Sequence, residues 1–214
     1  MPVAEPTFDP ALDPIVATGD RRPSSSQPSS PQPSPSHPWS LGWRIWRWEP
    51  VDLFVGAALI ALLVIAVGIG PAIVPGVPLA LATPVLWRVD VAERRLPNAL
   101  VLPIGALTLA SLVAVGLANN AMPLDAVATM AGTFLFFLIL SIGGGMGMGD
   151  VKLAVVLAGV LALVRVDAVL AAAIIAFVSG GVAALVVHVR FRQRSIPFGP
   201  FLLIGYWAAL VLTG

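Results

Sequence analysis

Long apolar runs broken by short polar punctuation dominate the chain from about residue 50 onward. Runs of the kind that fill a lipid-embedded helix occupy 53–74, 77–89, 100–118, 124–142, 151–164, 168–189 and 196–213. Spanning the hydrocarbon layer takes about 20 apolar residues per helix, so the roughly 160 residues after the N-terminal stretch can supply six to eight crossings. The pattern predicts an all-α, polytopic membrane helix bundle of about six to eight transmembrane helices, with seven as the central count. The second and fifth runs are short. Their helices are therefore expected to extend into the neighbouring polar residues, or to end beside functional groups.

The first 40 residues read differently. Proline and serine crowd 23–33, and so little apolar surface cannot offset the entropy of ordering. A disordered tail is expected over 1–40. It lacks a charged start, an apolar core and a small-residue cleavage site, so it does not read as a removable signal peptide. Residues 41–50 form an interfacial segment in which Trp43, Trp46 and Trp48, preceded by Trp39, interleave with Arg44 and Arg47, as at a headgroup boundary. Residues 51–214 are left as the functional domain.

Composition agrees with the pattern. Of 214 residues, 58% are hydrophobic and 11% charged, with a mean hydropathy of +0.94, which a solvated globular surface would rarely allow. The net charge of +1 conceals clustering: Arg44, Arg47, Arg88, Arg94, Arg95, Lys152, Arg190, Arg192 and Arg194 fall on one side of the predicted membrane and Arg165 on the other. This places the tail and the loops after the second and fourth runs in the cytoplasm, and it reports topology in the plasma membrane, not a nucleic-acid surface. Cysteine is absent, which excludes disulfides, thiolate metal sites and a cysteine nucleophile.

An aspartate at the bilayer centre costs about 2.5 to 3.5 kcal/mol on insertion scales, so each acid near a run needs a reason. Asp52, Asp125 and Asp167 start runs, where water and the positive end of a helix dipole suffice. Asp90 instead ends a run and is followed by Glu93, Arg94, Arg95 and Leu96-Pro97-Asn98, with Pro97 ending or restarting a helix. Asp150 closes a stretch with five glycines in the seven residues 143–149. That stretch is either a plain turn with Asp150 as a helix N-cap, or flexible backbone that a partner approaches closely. Topology sets both carboxylates on one membrane face, which makes an aspartyl dyad possible.

These residues resemble the type IV prepilin (leader) peptidases among the Gly-x-Gly-Asp membrane aspartyl proteases. Gly147-Met148-Gly149-Asp150 matches the motif and continues as Val151-Lys152-Leu153, similar to the family's Asp-Val-Lys-Leu. Leu96-Pro97-Asn98 resembles the family's Ile-Pro-Asn, and Pro197-Phe198-Gly199-Pro200 its Pro-Phe-Gly-Pro. The resemblance implies an aspartic endopeptidase with Asp90 and Asp150 as catalytic acids. Around them, Gly147, Met148, Gly149, Lys152, Pro97 and Asn98 are substrate-binding or motif positions. It also implies prepilin or pseudopilin substrates with a hydrophobic N-terminal helix, cleaved after a glycine on the cytoplasmic side, and neither metal nor organic cofactor. The longer members' insert with its two cysteine pairs is missing, so the chain resembles the short, protease-only form serving Flp or Tad pili, without N-methyltransferase activity. Lys152 either stabilises Asp150 or serves as a cytoplasmic charge, and His188 reads as interfacial. Pro197 to Pro200 line a substrate entrance or set a rigid return into the bilayer. Asp90 at a helix C-terminus and Asp150 at a helix N-terminus would make Asp150 the resting base and Asp90 the proton carrier. The rival readings are a proton-coupled transporter, with both acids on an ion path, and a non-catalytic pilus or secretion assembly protein. Lipid is a partner in all three, nucleic acid in none, and the oligomeric state is left open.

Overall fold

The structure is a computed structural model, and it describes residues 49–144, 146–191 and 196–213. The tail, nearly all of the Trp/Arg segment, Gly145 and the cluster at 192–195 lie outside the described residues.

Among the described residues every regular element is a helix: α1 Pro50–Val67, α2 Ile73–Glu93, α3 Asn98–Ala118, α4 Leu124–Ile142, α5 Met148–Ala162, α6 Asp167–Phe191 and α7 Gly199–Thr213. The chain is a membrane protein built as a helical bundle. Four helices, α1, α3, α4 and α6, are long and apolar enough to cross a bilayer. They also carry most of the large exposed apolar side chains, Phe54, Ile65, Leu109, Leu135, Ile139 and Val189 among them. With no polar stripe to face water, these surfaces suit lipid. Packed among them are α2, α5 and α7, which supply most of the buried core, from Leu79 and Leu86 through Val151 and Leu157 to Tyr206 and Leu210. At 15 residues each, α5 and α7 are only about 22 Å long, less than the hydrocarbon thickness.

Two boundaries differ from the hydrophobic pattern. The first run does not continue to Val74: α1 stops at Val67 because Gly68 turns the chain at φ 72, followed by Gly70 and Pro71, and α2 begins at Ile73. Hydropathy cannot register that break, since the turn is itself apolar. The two short runs do extend into polar residues as expected, α2 through Asp90 to Glu93 and α5 back to Met148.

Small residues set the close crossings at some positions and not at others. A methyl group on Gly159 would lie 2.6 Å from Thr108 on α3, and one on Gly180 would lie 2.9 Å from the Phe198 ring. Gly132 and Gly181 have no neighbour within 4 Å, so they set no crossing.

Candidate active site

Asp90 and Asp150 are 60 residues apart in sequence, and the fold delivers them to the same end of the bundle. Asp90 sits in the last turn of α2. The helix ends at Arg94, a non-glycine residue in the left-handed region at φ 53, whose N–H donates to the Asp90 carbonyl oxygen at 2.8 Å. Such a residue costs about 1 kcal/mol, and it turns the chain sharply enough for Pro97 to restart a helix three residues later. Pro97 is the N-cap of α3: Leu100 and Val101 donate to its carbonyl oxygen at 3.1 and 3.2 Å.

Asp150 is not an N-cap. That position belongs to Gly147, whose extended backbone (φ −75, ψ 148) leads into α5 and whose carbonyl oxygen accepts from the Asp150 N–H at 3.0 Å. Asp150 is the third residue of the helix, where the positive end of the helix dipole favours its carboxylate.

The two motif segments pack directly on one another. Gly149 faces Leu96 so closely that a methyl group there would lie 3.2 Å from the Leu96 Cβ, and Lys152 Nζ donates to Asn98 Oδ1 at 3.1 Å. In the glycine stretch the left-handed backbone is at Gly144, φ 76, whereas Gly149 is needed for this approach. This contact sets the start of α5 against the turn that follows Asp90. Lys152 therefore holds the motif loop at Asn98, a contact neither of its sequence readings included. His188 lies in the last turn of α6.

A third segment completes the site. Asp90 is 4% exposed, and its Oδ2 accepts the backbone N–H of Gly199, the first residue of α7, at 3.0 Å. Sequence reasoning took Pro197 to Pro200 as an entrance or a rigid turn. The Pro-Phe-Gly-Pro segment was the available signal, but no spacing rule links residue 199 to residue 90. A second omission is Asp52. It is not solvated but 5% exposed, paired with Arg88 Nη2 at 2.9 Å and accepting the Glu49 N–H at 2.9 Å. This ion pair ties the start of α1 to α2 half a turn before Asp90.

Between α4, α5, α6 and α7 lies an open cavity of about 680 Å³, lined by Phe136, Phe137, Ala154, Phe177, Leu202, Tyr206 and other almost wholly apolar side chains. Its rings connect it to the site: Phe137 stacks on Phe177 at 5.8 Å, and Phe177 meets Phe198, the neighbour of Gly199, at 5.2 Å.

No curated protein and no solved structure matches the chain. Residues 77–185, half of its length, match the type IV leader peptidase family, and both acids, the Leu-Pro-Asn turn and the Gly-Met-Gly-Asp motif fall within the match. The chain is thus a peptidase by family, and it belongs to the type IV leader peptidases.

Proposed function

We propose that the protein is an aspartic endopeptidase of the plasma membrane that removes the leader of prepilin-like substrates at the cytoplasmic face, with Asp90 and Asp150 as its catalytic pair. The observation that carries this reading is the convergence of two acids on one end of the bundle, where the segments that bear them pack on one another. Two like charges so placed disfavour full ionisation, so the pair retains one proton. The ionised carboxyl takes a proton from water as the oxygen attacks the scissile carbonyl, and the protonated one donates to the carbonyl oxygen. Collapse of the tetrahedral intermediate breaks the C–N bond, and the amine leaves with the proton the base had taken. General acid and base work of this kind is worth about 10² to 10⁴ in rate.

The cytoplasmic assignment follows from charge. At the acid end lie Arg88, Arg94, Arg95, Lys152 and Arg190, and at the other end Arg165, which is paired with Asp167 at 2.7 Å. The apolar cavity suits the hydrophobic helix that follows a pilin leader, and its link through Phe177 and Phe198 sets that helix beside the acids. Acids grouped at one end, not strung through the bilayer, favour this reading over a proton path. The test is cleavage of a prepilin peptide by the purified protein in lipid vesicles. The wild type is expected to cut it. Asp90→Asn and Asp150→Asn should each abolish cutting with helical content unchanged, and normal processing by either variant would sink the assignment.

A further inference from the structure

A side chain at position 199 would press on the Asp90 carboxyl. A Cβ built there would lie 2.6 Å from Asp90 Oδ2 and 3.1 Å from its Cγ, against the carboxyl itself. Its N–H is one of the four that a helix leaves without an internal partner, and it points at a carboxylate withdrawn from water. The residues around it hold it in place. Pro200 has no N–H, which costs nothing in the first turn of α7. Phe198 is wedged into the notch left by Gly180, against Phe177 at 5.2 Å and Phe201 at 6.3 Å, and its carbonyl oxygen starts the α7 ladder by accepting from Phe201 and Leu202.

From this we infer that Gly199 is a positioning residue for Asp90. Its N–H fixes Oδ2, which leaves proton exchange with water and substrate to Oδ1, and the anchored Phe198 keeps the donor in register. The start of α7 also places a positive dipole end on Asp90 that offsets the unfavourable C-terminus of α2. Asp90 and Asp150 are then both held by helix N-termini, so the dipole argument from α2 and α5 alone does not separate their roles. This inference rests on the assignment of the two acids above, and only the glycine's part in it is new.

Two measurements test it. In vesicles, Gly199→Ala should lower kcat about 100-fold and leave KM within about 2-fold, since the damage is to alignment and not to binding. The infrared carboxyl band of Asp90, identified as the band lost in Asp90→Asn, should shift in the same variant. Gly181→Ala, on α6 with open space around it, should match the wild type. A Gly199→Ala enzyme with kcat within about 3-fold of wild type, or an inactive one with the Asp90 band unmoved, overturns the inference. The second measurement does not depend on that variant folding: amide hydrogen exchange at Gly199 should quicken at least about 10-fold in Asp90→Ala, and equal rates overturn it too. If the wild type cuts no prepilin, the enzymatic assignment fails while the exchange result still judges the contact.

Discussion

The two ends of the bundle are built from the same kinds of helix ends, yet they hold together differently. The far end turns at Gly68, at Asn120 with φ 50, and at Arg165, whose bond to Asp167 is an exposed pair between near neighbours. Each turn there is closed within its own loop. At the acid end the contacts run between segments distant in sequence: Asp52 to Arg88, Leu96 to Gly149, Asn98 to Lys152, and Asp90 to Gly199 across 109 residues. A turn that only reverses a chain needs no outside partner. A site whose geometry must be fixed in a lipid-embedded bundle requires several helix ends to hold one another.

Substitutions should separate the two ends by size of effect. Largest are Asp90→Asn and Asp150→Asn, each expected to lower the cleavage rate at least about 1,000-fold with an unchanged far-ultraviolet spectrum. Next is Gly149→Leu, which pushes Leu96 and its loop away from α5. A shift of about 1 Å at the acids should lower kcat about 100-fold, read in the same assay. Asp52→Ala removes the buried one of the two carboxylates paired with Arg88, leaving Glu49 at 3.2 Å. It should destabilise the fold by about 2 kcal/mol, seen as a lower thermal midpoint, with a cleavage rate within about 10-fold of wild type. Smallest is Arg165→Ala at the far end: an exposed pair between near neighbours is screened by water, so stability and cleavage should both stay near wild type. A large loss at Arg165, or none at Gly149, would erase the contrast.

What the sequence revealed divides along the same line. Local signals were readable. The run at 124–142 became α4 with the same bounds because Pro123 and Gly143 flank it, and Pro97 restarted a helix because its ring fixes φ and removes a donor. The two acids stood out because charge beside an apolar run is costly and needs a reason. Hidden were the features made by packing. Asp52 sits at a helix start like Asp125 does, and no residue beside it tells that α2 brings Arg88 over it. The Gly199 N–H carries no side chain to attract notice, and its target is 109 residues away. The break after Val67 was missed for another reason: Gly68, Gly70 and Pro71 mark it in the sequence, but a hydropathy reading passes over them because no charge interrupts the run.

The central claim is that Asp90 and Asp150 act as one unit, and a double-mutant cycle on prepilin cleavage in vesicles tests it most directly. Groups that act together lose their function together. Asp90→Asn, Asp150→Asn and the double variant should therefore all fall to the same residual rate. A double variant slower than either single variant by the product of the two losses, or either single variant cutting at the wild-type rate, would contradict the account.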